Sequence, residues 1–180
     1  AAGLAYMLFS DHEATAMMRL ACHAIGSADG HAAIFVPEET ASQNASSLRL
    51  LASTSDSAVV TALTQAAALS SDRLGSLLRR TQAPGGEPVV LLSTSVASDP
   101  AERFLVAVGC HPTLGAPGCD SAAAAVLCVV EANPRASPPS AKDMEALSLV
   151  AGLVAGALSS GAQHTRCDAP RPMCVCECNN

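Results

Sequence analysis

Aromatic side chains are almost missing from this chain of 180 residues, which has no Trp, one Tyr (Tyr6) and three Phe (Phe9, Phe35, Phe104). Charge is scarce as well, at 14% of residues, and its balance is acidic: 16 Asp and Glu against 10 Lys and Arg, a net −6. A nucleic-acid surface needs a basic stripe and rings on which bases can stack, so nucleic acid is not expected as a partner. Nine of the ten bases are Arg and only Lys142 is Lys, which together with the abundant Ala points to a GC-rich coding bias rather than to function. No apolar run reaches the roughly 18 residues of a membrane span. The longest, Ala122 to Val130, has the length of a buried strand. The opening Ala1-Ala2-Gly3 carries neither Met nor a basic stretch, so no signal peptide is expected.

What the chain does have is apolar bulk. Hydrophobic residues make up 49%, which excludes disorder as the main state. A single domain of this length buries about 70% of its unfolded surface and folds without a covalent staple. Eight cysteines are therefore not needed as a disulfide framework. Cys22, Cys110, Cys119 and Cys128 are scattered through the body and read as reduced, buried and cytoplasmic. Cys167, Cys174, Cys176 and Cys178 crowd into the C-terminal end.

Periodicity and punctuation set out the elements. Ser10-Asp11-His12-Glu13 is a capping box, followed by Ala14, Met17, Met18, Ala21 and Ile25 at helical spacing and by Gly26 as a stop. Strands are predicted at His31 to Val36 and Leu48 to Ala52. Two helical pieces follow, one with Val59, Val60, Leu63, Ala66 and Ala67, the other with Leu74, Leu77 and Leu78 and ending at Arg79-Arg80. Val89 to Leu92, Phe104 to Val108 and Ala122 to Glu131 are three further strands, the last apolar enough to be covered on both faces. Ser140 caps a closing helix, Ala141 to Ser159, with Met144, Leu147, Val150, Ala151, Val154 and Leu158 inward and Gly161 as its end. The order predicts an α+β fold: an antiparallel central sheet, the N- and C-terminal helices packed on one face and a helical crossover on the other. Residues 1–163 form one domain and 164–180 a Cys-rich tail, an appendage in which Pro170 and Pro172 forbid a continuous helix.

This order resembles the GAF domain family, and two stretches carry the likeness. Pro88-Val89-Val90-Leu91 and then Asp99-Pro100-Ala101-Glu102-Arg103-Phe104 are similar to the family's short strand and the segment after it. Ala125 to Asn133, Ser140-Ala141-Lys142-Asp143 and Leu147 to Leu158 are similar to its last strand, loop and closing helix. The match spans residues 10 to 160, and a PAS-like or other α+β sandwich is the alternative. The resemblance implies a non-catalytic sensory or regulatory module. A small ligand would sit between sheet and crossover, and the helices would relay its presence to an output domain or a second copy.

Motif by motif, the chemistry is thin. Family members that bind cyclic nucleotides carry an Asn-Lys…Phe-x3-Asp-Glu pattern, of which this chain retains Asn133 and Asp143, with Pro134, Pro139 and Met144 at the other places. Asp143 also suits a first helical turn. The expected ligand contacts are Val89, Leu91, Asn133 and Asp143, in a pocket between Val89 to Leu92 and the helices of 58–80 that is small and apolar, or collapsed. Cys110-His111 matches the pair that holds a bilin in some members, but it ends a strand and lacks the usual aromatic neighbours. A thiol enzyme, similar to the GAF-type reductase of free methionine sulfoxide, is a further alternative through Cys110, Cys119 and Cys128. If residues 104–112 pair with 119–127, Cys119 falls opposite Pro112 and is a diagonal neighbour of Cys110, an arrangement in which a disulfide is geometrically conceivable. Cys174-Val175-Cys176-Glu177-Cys178 lacks the spacing of a structural zinc site, so no metal is expected and no cofactor can be named. Ala151, Gly152, Ala155 and Gly156 are small enough for a partner helix to approach, the basis for a dimerisation or docking module as the alternative function.

Overall fold

The computed structural model describes residues 10–38, 47–55, 58–68, 73–83, 87–93, 103–111, 123–131 and 138–167. Helix α1 (Asp11–Ala24) opens on the expected reciprocal cap: the Glu13 N–H donates to Ser10 Oγ at 3.2 Å and the Ser10 N–H to Glu13 Oε2 at 3.3 Å. It closes where Gly26 turns left-handed at φ 70°, a conformation that costs glycine little. There the Gly26 N–H donates to the His23 carbonyl and the Ser27 N–H to the Cys22 carbonyl, both at 2.9 Å, the paired bonds of a Schellman stop.

Strands β1 (His31–Pro37) and β2 (Leu48–Ser53) follow, and Glu38 and Ser47 tie the base of the connection between them. Helices α2 (Ala58–Ala68) and α3 (Arg73–Gln82) lead to strands β3 (Val89–Ser93), β4 (Arg103–Cys110) and β5 (Ala125–Val130). The chain then enters helix α4 (Ala141–Cys167). All five strands form one antiparallel sheet in the order β2-β1-β5-β4-β3. Strand β5 is central and buried at every position, as its unbroken apolar run implies.

Alternation along the strands divides the core in two. Ala32, Ile34, Val36, Val106, Val108, Ala125, Leu127 and Val129 face α1 and α4, meeting Met18, Ile25, Leu147, Val150, Val154 and Leu158. Ala33, Phe35, Leu105, Ala107, Val126, Cys128 and Val130 face the other way, against Leu63 of α2 and Leu78 of α3. The second layer follows from topology. β2 and β3 occupy opposite edges of the sheet, so the segment joining them must cross its full width. Accordingly α2 packs on β1 and β2, and α3 on β3, β4 and β5.

Three sequence expectations are corrected. Helix α4 does not stop at Gly161 but runs to Cys167. An interior glycine costs a helix only about 1 kcal/mol relative to alanine, and it ends one only where the backbone turns left-handed. Among the described glycines only Gly26 has a positive φ. Strand β5 begins at Ala125 rather than Ala122, because the Ala123 N–H is already committed to the Gln82 carbonyl at the end of α3. The β4–β5 register is also four residues away from the expected one: Cys110 pairs with Ala125. Residues 112–122, Cys119 included, lie outside the described residues, as do 168–180.

Candidate functional site

The face under the crossover is the part of the fold where the resemblance places a ligand. Its described side chains are apolar and closely packed: Phe35, Leu63, Leu78, Leu105 and Cys128 are all at 1% exposure or less. The expected contacts Val89 and Leu91 pair with Ala107 and Leu105, both of which belong to this face, so the register puts the two positions at its β3 edge. Asp143 belongs elsewhere. It sits in the first turn of α4, the helix packed on the opposite face, where the Ser140 N–H donates to its Oδ2 at 2.8 Å and its own N–H donates to Ser140 Oγ at 3.2 Å. That is a second capping box, with Asp in the role Glu13 plays in α1. The fourth contact, Asn133, lies outside the described residues. The fold therefore places Val89 and Leu91 on the edge strand β3 and Asp143 in the first turn of α4.

One end of the crossover face is a polar seam that the sequence reading missed. Helix α3 ends with Thr81 fully buried, its Oγ1 donating to the Leu78 carbonyl at 2.7 Å. The Gln82 carbonyl accepts the Ala123 N–H at 2.8 Å, and the Ala124 N–H donates to the Cys110 carbonyl at 2.8 Å. A Cβ at Gly109 would collide with the Thr81 carbonyl oxygen and would lie 3.0 Å from His111 Nε2 and 3.2 Å from the Ala123 Cβ. A glycine inside an apolar strand signals such a close approach of backbone, and Gly109 carried that signal. Glu131, which follows the buried run of β5, is itself buried, and its N–H donates to the Phe104 carbonyl at 3.1 Å.

The described body cysteines are free thiols that burial holds protonated. Desolvation pushes Cys22 up to about 11, only partly offset by a backbone hydrogen bond. It pushes Cys110 up to about 12, again with a small opposing contribution, from a hydrogen bond to the Leu127 backbone. Cys128 is raised further by burial and by the neighbouring Cys110. A nucleophilic cysteine needs the opposite, a thiolate favoured by a nearby cation or helix N-terminus. Cys110 and Cys128 also project to opposite faces of the sheet. Of the histidines, His31 Nδ1 is 3.0 Å from Ser55 Oγ, a contact that ties the start of β1 to the turn after β2.

The small residues of α4 do not act together as expected. Ala151 and Ala155 are buried against the sheet, and it is Gly152 and Gly156 that turn outward, beside Leu149 and Leu153. Among the described residues no three His, Cys, Asp or Glu side chains converge as metal ligands, and no helix is long and apolar enough to cross a membrane. Comparison with protein-family models, with curated proteins and with solved structures returns no match.

Proposed function

We propose that this chain is a non-catalytic regulatory domain of the GAF type, acting in the cytoplasm as a signalling module. It encloses a small, weakly charged ligand between the sheet and the α2–α3 crossover, and α1 and α4 carry its presence to an attached output domain. The observation that carries the reading is the division of labour between the two sheet faces. One face holds the two capped helices, α1 and α4, packed side by side on the sheet. The other holds a crossover that spans the sheet from edge to edge and is fastened at the Thr81–Gly109 seam.

The chemistry of that second face selects the ligand class. Phe35, Leu63, Leu78, Leu105 and Cys128 offer dispersion contacts and no charge, so charged headgroups gain nothing from them. Buried free thiols at Cys22, Cys110 and Cys128 fit a reducing compartment. The raised thiols count against the sulfoxide reductase alternative.

Thermal unfolding with small uncharged apolar molecules, run alongside cyclic nucleotides, free amino acids and haem, tests the proposal. A ligand that binds only the folded chain stabilises it by RT ln(1 + [L]/Kd), about 2.7 kcal/mol at a hundredfold excess over Kd. At least one probe class should raise the midpoint in proportion to the logarithm of its concentration. An unchanged midpoint with every probe contradicts the ligand reading.

A further inference from the structure

Helix α3 ends on a residue whose buried chemistry the fold does not use. Gln82 is only 9% exposed, and its backbone carbonyl accepts the Ala123 N–H at 2.8 Å. Among the described residues its side-chain amide has no hydrogen-bond partner. Thr81 beside it is fully buried too, but its hydroxyl is taken by the Leu78 carbonyl. Burying an amide unpaired is costly, so Gln82 is a group that gains when a partner reaches it.

The ring of His111 lies at the same seam. Its Nε2 stands 3.0 Å from the point where Gly109 would carry a Cβ, the Ala123 Cβ 3.2 Å from it, and the Thr81 carbonyl oxygen closer still. Alternation puts Gly109 on the side of Leu105 and Ala107, the side that faces the crossover. His111 is partly exposed, and its ring has no hydrogen bond among the described residues. The apolar crossover face thus ends in two polar side chains, an amide and an imidazole, whose bonding capacity the chain leaves unused.

We propose that Gln82 and His111 are the polar anchor of the crossover-face site, and that its ligand is a small apolar body bearing one neutral amide or lactam group. The assignment rests on the ligand reading above and names the ligand's class. A glutamine amide offers two N–H donors and a carbonyl acceptor. Its complement both donates and accepts, as an amide does and a hydrocarbon does not. The apolar part has its contacts close by. Leu78 stands one turn before Gln82 on α3, and Leu105 shares the side of Gly109 on β4. Arg79 and Arg80 precede Thr81, so a charged member of the probe series is needed beside the neutral ones.

Toluene, benzamide and benzoate share one ring and differ in a single group, so they isolate the anchor. Each is titrated into the isotopically labelled intact chain and followed by backbone and side-chain amide NMR. Benzamide should bind about tenfold more tightly than toluene, the worth of one or two neutral hydrogen bonds. It should also move the Gln82 side-chain NH2 signals downfield, as gaining an acceptor does. Gln82→Met keeps the length of the side chain and should bring benzamide down to the affinity of toluene. His111→Ala should weaken benzamide and leave toluene unchanged. The NH2 shift is read in the native chain, so it decides even where a variant fails to fold. Equal affinity for benzamide and toluene overturns the anchor, as does a preference that survives Gln82→Met. Benzoate as the tightest binder overturns the amide class and points to an anion held by Arg79 or Arg80. If benzamide leaves the spectrum unchanged the anchor falls, and the ligand reading falls with it only if the wider panel of thermal probes also fails.

Discussion

The carbonyl oxygen of Thr81 occupies the place where a side chain at Gly109 would begin, so the end of α3 rests directly on the backbone of β4. That contact fixes the crossover at the end of the sheet where β5 starts, because the next residue, Gln82, accepts the Ala123 N–H. The atom in the way is backbone and cannot swing aside as a side chain would. Gly109→Ala should therefore cost about 2–3 kcal/mol, the upper part of the range for overpacking. Urea unfolding measures it, and a neutral substitution would mean that α3 does not sit so close.

The crossover core gives a second expectation. Leu63 and Leu78 are the fully buried leucines by which α2 and α3 grip the sheet. Replacing either with alanine should cost about 2–5 kcal/mol, the usual range for a buried leucine. Exposed Leu149, replaced in the same way, should cost less than about 0.5 kcal/mol. Equal losses at the three sites would contradict the burial pattern.

Ser140 and Asp143 define a third. As a capping pair they should each lose about 1 kcal/mol on replacement by alanine, and ligand affinity should not change, because α4 lies on the face away from the crossover. Melting curves of Asp143→Ala with and without a bound probe separate the two roles. A loss of ligand-induced stabilisation larger than the loss of intrinsic stability would return Asp143 to the binding site.

The thiols make a prediction about pH. Cys22 and Cys110 titrate at about 11 and about 12 in the folded chain, against 9.0 for the unperturbed thiol. The unfolded state therefore releases its thiol protons first as pH rises. Their contribution to stability is complete below about pH 9 and is lost progressively as pH climbs through the folded values. Denaturation across about pH 8 to 11 should show this decline, and Cys22→Ala and Cys110→Ala should each flatten it. Rapid alkylation of either thiol in the native protein at neutral pH would contradict the protonated, buried state.

What was legible in the sequence was what local chemistry decides. Ser10 with Glu13 and Gly26 after Ile25 each encode their structure within a few residues and both appear as read, and the apolar run read as Ala122 to Glu131 forms a strand over the shorter Ala125–Val130. The inward residues of α4 were likewise visible from their spacing, from Leu147 to Leu158. What could not be read was set by parts of the chain far apart. The β4–β5 register depends on Gln82 capturing Ala123, forty-one residues later in the chain, by the difference of their numbers. Ala151 and Gly152 are alike in size and neighbours in sequence, yet only the position of the sheet makes one buried and the other part of the outer face. Of the expected contacts, Val89 and Leu91 lie on β3 as the strand reading had it, whereas Asp143 fits two patterns at once, a ligand signature and the helix cap it forms with Ser140.

The central claim is that a small ligand engages the crossover face and that α1 and α4 report it. Amide NMR of the isotopically labelled chain, titrated with small uncharged apolar molecules and then with a cyclic nucleotide, an amino acid mixture and haem in turn, tests it most directly. The account predicts that an active probe first shifts the amides of Leu63, Leu78 and Leu105, which meet at that face, and those of Val89 and Leu91 on the neighbouring strand β3. Smaller shifts should follow in α1 and α4 across the sheet. Shifts confined to the outer surfaces of α1 and α4, or a spectrum that no probe changes, would contradict it.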